Sequence, residues 1–227
     1  MLHHIIESNN NGIRCLEAGR HDLAKEFFKL ALEQITKILH LFRDHQSSQG
    51  FAPIKPPSIV HIPISESSVG EIMSFKSSYI YRYALTLEID REGLPGVDQN
   101  IVVYQYSLPL AIVIMFNLGF VHHFHTTQEP QSQNVLIKAL RLYEMAWSLV
   151  QRSQYGSFSD HYPYVLGILN NMGAIHHELE QYDQARDCFV ALKSLLLSGA
   201  SVDEADASHG IMMNVMFLEK PYIAPAA

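Results

Sequence analysis

The sequence lacks the features that mark secreted proteins. It has only two cysteines, Cys15 and Cys188, so no disulfide framework is expected. It contains no Asn-x-Ser/Thr glycosylation acceptor, and residues 1–7 do not have the basic and apolar regions of a secretory signal. We therefore expect a protein of the reducing cytoplasm or nucleus.

Positive charge and long apolar runs are also scarce. The net charge of the 227 residues is −7, with no long basic run, which disfavours a nucleic-acid partner. The longest apolar run, residues 108–121, contains Pro109 and Asn117 and is shorter than the roughly 20 residues that span a bilayer. We interpret it as a buried helix and expect no membrane association.

The familiar catalytic motifs are missing as well. The chain has no G-x-S-x-G, no P-loop and no G-x-G-x-x-G. His177 and Glu178 would need a second histidine at position 181 to form a zinc-protease motif, and Gln181 stands there. The sequence therefore predicts a protein that is not an enzyme and that needs no cofactor.

What the chain does contain is a repeated spacing of small and aromatic residues. A glycine is followed twelve residues later by an alanine, then by a phenylalanine and a small or aliphatic residue, once near each end of the chain. The pattern lets two helices cross closely, with the aromatic ring filling the space behind the crossing. The two sets are Gly12, Ala24, Phe28 and Ala31, and Gly173, Ala185, Phe189 and Leu192.

A third copy lies between them, interrupted by an insertion. It begins at Leu118-Gly119 and resumes at Ala139, Tyr143 and Ala146. The distance from its glycine to its alanine is 20 residues instead of 12. We expect the eight extra residues to lie in the loop between the two helices.

These residues resemble tetratricopeptide (TPR) repeats, in which Leu-Gly in the first helix is followed by Ala, Phe and Ala in the second. The layout is also similar to that of algal proteins with degenerate repeats of this kind. The usual tryptophan and the closing proline of the repeat are absent. The resemblance implies a mainly α fold of about three irregular antiparallel helix pairs, with a concave groove that binds a protein or peptide.

Between the first two pairs the sequence predicts a β-hairpin. Apolar residues alternate over 78–90, and 101–106 would be the returning strand; Val60, Ile62 and Ile64 suggest a short edge strand. Tyr79, Tyr81 and Tyr83 either cover the first helix pair or form a protruding recognition arm. The predicted parts of one folded unit are helix pair one (1–43), linker and hairpin (44–107), pairs two and three (108–199), and a capping helix with the tail (200–227).

The resemblance also places the residues of the groove. Its inner face would be apolar and aromatic, which suits an amphipathic helix or an extended peptide. The groove is either open or filled by the capping helix or the hairpin. Asn117 and Asn171 recur before the repeat glycine and are expected to hydrogen-bond between helices. The groove residues are Phe116, Phe120, His123, Asn170, Ala174 and His177.

Two histidine clusters support an alternative function. His122, His123 and His125 form one cluster, and His176 and His177 form the other. A metal-dependent hydrolase would use such imidazoles as ligands. However, His122 and His176 each follow the repeat glycine by three residues, so the repeat itself explains their recurrence. We favour a non-catalytic interaction scaffold or assembly subunit with no metal.

Overall fold

The computed structural model of the protein describes residues 2–43, 58–64, 80–88, 99–128, 133–152, 162–198 and 205–217. The chain divides into two compact units. Unit 1 comprises Met1–Ser68 and Tyr83–Gly156, and unit 2 comprises Val69–Arg82 and Ser157–Ala227. The sequence was expected to form one folded unit.

Seven helices and two strands are described, so the predicted mainly α class is confirmed. The elements are α1 (Leu2–Glu17), α2 (His21–Arg43), β1 (Ser58–Pro63), β2 (Tyr83–Glu88), α3 (Gln99–Gln128), α4 (Gln133–Arg152), α5 (Tyr162–Glu178), α6 (Tyr182–Leu197) and α7 (Ala205–Phe217). Pair one is α1 with α2, pair two is α3 with α4, and pair three is α5 with α6. The two strands lie between pairs one and two in the chain.

Each helix pair is closed by the predicted contact between a glycine and an aromatic ring. A Cβ atom on Gly12 would lie 2.6 Å from the Phe28 ring, and one on Gly173 would lie 2.5 Å from Phe189. In pair two, a Cβ atom on Gly119 would lie 3.0 Å from the Tyr143 ring. The hydrogen of glycine is therefore what lets the second helix approach.

Pairs one and three also share the same turn between their helices. Seven residues after the repeat glycine, Gly19 has φ 70° and Glu180 has φ 60°. The next amide closes the turn on the carbonyl five residues back, at 2.7 Å in pair one and 2.8 Å in pair three. This is the hydrogen bond of a Schellman motif, which satisfies carbonyls left free at a helix end.

Pair two differs because its eight extra residues are mostly helical. Helix α3 continues nine residues past Gly119, whereas α1 and α5 end five residues past their glycines. Helix α4 begins six residues before Ala139, whereas α2 and α6 begin three residues before theirs. The prediction of a long loop was wrong, because both helices are about one turn longer.

The two strands pair differently from the prediction. β1 runs antiparallel to β2, from Ser58 opposite Glu88 to Pro63 opposite Tyr83. The edge strand expected near Val60 is therefore confirmed, but as the partner of β2. The predicted returning strand over 101–106 is wrong, since those residues belong to α3. Helix α3 packs against α1, α2, α4 and β2 in unit 1, and a helix that packs on several sides can be apolar without a strand-like pattern.

The early start of α3 also corrects the place of Pro109. The prediction put Pro109 in the first turn of a helix beginning at about 108, but it lies inside α3. Its ring removes the hydrogen bond to the carbonyl four residues earlier.

The stretch Gln105–Phe124 of α3 is long and apolar enough to cross a membrane by length and composition. However, 83% of this stretch is buried inside the protein. That burial is typical of a core helix.

Unit 2 is built on α5. Helix α6 packs along it as the second member of pair three, and α7 contacts both helices. Helix α7 therefore has the position expected of the capping helix. Its buried residues include Ile211, Asn214 and Val215, whereas Met212 and Met216 are exposed.

Candidate functional site

Three of the predicted groove residues lie on α3 in unit 1, and all three are buried. Phe116 and His123 both contact the ring of Tyr143, with ring centroids 5.5 and 6.2 Å apart. The rings of Phe120 and Phe124, both on α3, are tilted by 38° with their centroids 5.6 Å apart. Because all three groove side chains are buried, an incoming partner would not reach them directly.

The other three lie on α5 in unit 2. Asn170 and Ala174 are fully buried, whereas His177 is exposed. The His177 ring meets the ring of Tyr182 edge-on at 5.6 Å, and Tyr182 is 42% exposed. Of the six predicted residues, His177 alone is on the surface in the described structure.

A cluster of asparagines in unit 1 binds the main chain of β2. The Leu85 amide donates to Oδ1 of Asn117 at 2.8 Å, and Nδ2 of Asn117 donates back to the Leu85 carbonyl at 2.7 Å. Nδ2 of Asn9, on α1, donates to the same carbonyl at 3.1 Å. Nearby, the Thr86 hydroxyl donates to Oδ1 of Asn10 at 2.6 Å. We call the pairing of Asn117 with Leu85 the unit 1 clamp.

Unit 2 repeats the arrangement on α5. The Tyr81 amide donates to Oδ1 of Asn171 at 2.7 Å, and Nδ2 of Asn171 approaches the Tyr81 carbonyl at 3.3 Å. Asn170 donates to the same Oδ1 at 3.2 Å and accepts from Nδ2 of Asn214, on α7, at 2.8 Å. We call the pairing of Asn171 with Tyr81 the unit 2 clamp.

Both clamps come from the same position of the repeat, two residues before its glycine. Asn117 and Asn171 were expected to hydrogen-bond between helices. Asn117 does donate to Asn9 of α1 at 2.9 Å. The contact that recurs in both units is instead with an extended main chain, so the expectation was incomplete. An amide side chain carries an NH2 donor group beside a carbonyl acceptor, which together match the N–H and C=O of a single residue.

These contacts show what covers the asparagine faces. β2 covers Asn9 and Asn117 in unit 1, whereas α7 and residues 80–82 cover Asn170 and Asn171 in unit 2. All four asparagines are fully buried. Other parts of the chain therefore cover these faces in the described structure, and the groove itself stays a prediction. Tyr81 and Tyr83 are buried and form no protruding arm, but α5 of pair three binds the main chain of Tyr81; Tyr79 lies outside the described residues.

The histidine clusters do not form a ligand set among the described side chains. No group of three or more His, Cys, Asp or Glu residues is close enough there to hold a metal ion. Nδ1 of His176 is 2.7 Å from Oε1 of Gln181, across the turn of pair three, and His123 is buried against Tyr143. The side chain of His125 lies outside the described residues.

The charged side chains that form described ion pairs lie on helix surfaces. Asp22 with Lys25 and Asp183 with Arg186 are pairs three residues apart on one helix, and each includes a strongly exposed carboxylate. The asparagine faces carry neutral amides instead. Burial raises the pKa of the Tyr164 phenol on α5, so this group also stays neutral at physiological pH.

No protein-family model, curated protein or solved structure matches the chain. The contacts of its own residues are therefore the basis for inferring function. The sequence carried a signal for the clamps, the recurrence of asparagine before the repeat glycine. It carried no signal for their partners, because Leu85 is 32 residues from Asn117 and Tyr81 is 90 residues from Asn171.

Proposed function

We propose that the protein is a non-catalytic interaction scaffold whose tetratricopeptide-like helix pairs bind a partner protein through an extended segment. The observation that carries this proposal is the pair of clamps. In each, a buried asparagine makes hydrogen bonds to both the N–H and the C=O of one residue. Such contacts give affinity for a main chain whatever its side chains are.

Two of the predicted groove residues stand next to the clamp asparagines in the sequence. Phe116 directly precedes Asn117, and Asn170 directly precedes Asn171. The exposed rim is where a partner would make its first contact. His177 and Tyr182 form such a rim in unit 2, with an aromatic ring that is partly open to solvent.

Site-specific photocrosslinking tests the proposal. The full chain carries benzoylphenylalanine in place of Tyr182 and is irradiated in native lysate, and mass spectrometry identifies the crosslinked peptides. Asp187, which is exposed on another side of the same helix, gives the matched control. We expect a defined partner segment at position 182 that is absent at position 187. The same crosslinks at both positions would contradict binding at this rim.

Metal content separates the proposal from the hydrolase alternative. The scaffold needs no bound ion, so elemental analysis of the purified chain should find zinc and iron well below one atom per molecule. A stoichiometric metal that is lost on replacing His122 and His176 with alanine would favour the hydrolase instead.

A further inference from the structure

Each clamp already holds a residue of this chain. Leu85 of β2 occupies the unit 1 clamp. We propose that β2, residues 83–88, is an exchangeable internal ligand of unit 1, which occupies the place of an extended partner segment. This inference rests on the proposed function and adds what the partner must look like and what it must displace.

The geometry of β2 defines the chemical class of the partner. Main-chain groups of successive strand residues point to opposite edges of a strand. Leu85 lies opposite His61 in the register and turns its N–H and C=O to Asn117, away from β1. A helical segment cannot present both groups of one residue in this way, because its own hydrogen bonds use them. The partner is therefore an extended polypeptide.

The side chains of the internal segment add a second requirement. Tyr83, Leu85 and Leu87 are buried; between them Ala84 is also fully buried and Thr86 is partly exposed. An extended partner that replaces the segment would therefore carry aromatic or aliphatic side chains at every second position. The position of Ala84 would take a small residue, and a polar residue would be tolerated at the position of Thr86.

Exchange is favoured over simple opening because the asparagines are buried. Asn9 and Asn117 are fully buried, and a buried amide without a hydrogen-bond partner is strongly unfavourable. An incoming extended chain supplies the same N–H and C=O groups as the segment that leaves. The face is then never empty, and strand addition of this kind is a known mode of peptide recognition.

On its other edge, the internal segment pairs with β1 along its whole length. In the described sheet, β2 pairs with this one strand, so an incoming segment must replace that pairing as well. The segment is also part of the same chain, so its effective concentration is high and an outside peptide must compete with it.

A reversible crosslink tests whether the segment must move. Cys15 is replaced by serine and Cys188 by alanine, and Asn10→Cys with Thr86→Cys places a thiol on α1 and another on β2. The original side chains are in hydrogen-bond contact at 2.6 Å. A short, reducible bifunctional thiol reagent can therefore bridge the two introduced cysteines. The matched control is Asp22→Cys with Lys25→Cys, whose side chains meet at 3.1 Å within α2.

The probe is a fluorescein-labelled peptide with the sequence of residues 83–88, measured by fluorescence anisotropy with the full chain. We expect binding to the reduced protein, at least about tenfold weaker binding after bridging α1 to β2, and recovery on reduction. Bridging within α2 should have no effect. The same peptide N-methylated at Leu85 lacks the donor to Asn117 and should also bind at least about tenfold more weakly.

Equal binding to bridged and reduced protein, or no binding to either, would overturn the inference. If the partner crosslinked at position 182 is still captured by the bridged protein, the proposed function stands and the internal-ligand inference fails. A dimer that forms in the reduced protein and disappears on bridging would overturn the choice of partner in favour of a second copy of this chain.

Discussion

The two units hold an extended chain with the same side chain, but they support it differently. In unit 1, Asn117 is joined by Asn9, which comes from another helix pair and bonds to the same carbonyl. In unit 2, Asn171 is supported by Asn170 of its own helix, which is fixed in turn by Asn214 of α7. The clamp therefore follows from the position of the asparagine in the repeat, whereas its supporting contacts depend on what packs nearby.

The largest expected loss of stability distinguishes the two clamps from each other. Asn117→Leu leaves the buried Leu85 amide and Oδ1 of Asn9 without their partner, and should lower the free energy of unfolding by about 3 kcal/mol. Asn171→Leu should cost about 2 kcal/mol, because its bonds to the Tyr81 carbonyl and to Asn170 are longer. Urea unfolding followed by circular dichroism measures both.

Asn134→Leu is the matched control, because Asn134 is exposed at the start of α4. It should change the unfolding free energy by less than about 0.5 kcal/mol. Equal losses for Asn117→Leu and Asn171→Leu would show that the hydrogen bond from Asn117 to Asn9 adds nothing measurable to the unit 1 clamp.

The repeat glycines give the next largest effect and extend the comparison to the three helix pairs. Gly12→Ala and Gly173→Ala drive a methyl group into a buried phenylalanine ring, and we expect each to cost about 2 kcal/mol. Gly119→Ala should cost about 1 kcal/mol, because the ring of Tyr143 is farther away. Thermal and urea unfolding of the three variants would rank them.

A double mutant tests the cause. Phe28→Leu removes the ring that the new methyl group meets, so it should be less harmful in the Gly12→Ala background than in the wild type. Additive losses would mean that contact with the ring is not what makes glycine necessary at position 12.

The helix pairs could be predicted from the sequence because their determinants are local. A glycine, an alanine and an aromatic residue at fixed offsets specify a crossing between neighbouring helices, and the bounds of α1, α2, α4 and α6 differ from prediction by at most two residues. The strand pairing was mispredicted because it depends on distant segments. Ile101–Tyr106 is a short apolar run, which a strand and a buried helix have in common, and α3, to which it belongs, packs against several elements of unit 1.

In the candidate site, too, the local features could be predicted and the contacts between distant segments could not. Recurrence marked Asn117 and Asn171 as special, and the rule that buried amides need partners predicted hydrogen bonds for both. No local pattern could indicate that the partners are main-chain atoms of Leu85 and Tyr81. The choice of His177 as a binding residue stays a prediction, now with the additional observation that its ring is exposed beside Tyr182.

A smaller effect is expected at the turns that close pairs one and three. Glu180 adopts positive φ with a side chain, whereas Gly19 adopts the same conformation without one. Glu180→Gly should therefore stabilise the protein by about 0.5–1 kcal/mol, and Gly19→Ala should destabilise it by about 1 kcal/mol. No atom lies within 4 Å of a Cβ on Gly19, so its cost would be conformational rather than steric. Urea midpoints measured at constant m-value would show both changes.

The smallest effect concerns pH and unit 2 alone. Burial raises the pKa of Tyr164, so the unfolded chain releases this proton at a lower pH than the folded chain does. The free energy of unfolding therefore falls as the pH rises through the unfolded pKa near 10. The loss is about half a kcal/mol at pH 10 and is greater at higher pH. Tyr164→Phe should remove this part of the pH dependence. Hydrogen exchange at pH 10 should show the difference between the two proteins in α5, and an equal difference in α3 would contradict assigning it to unit 2.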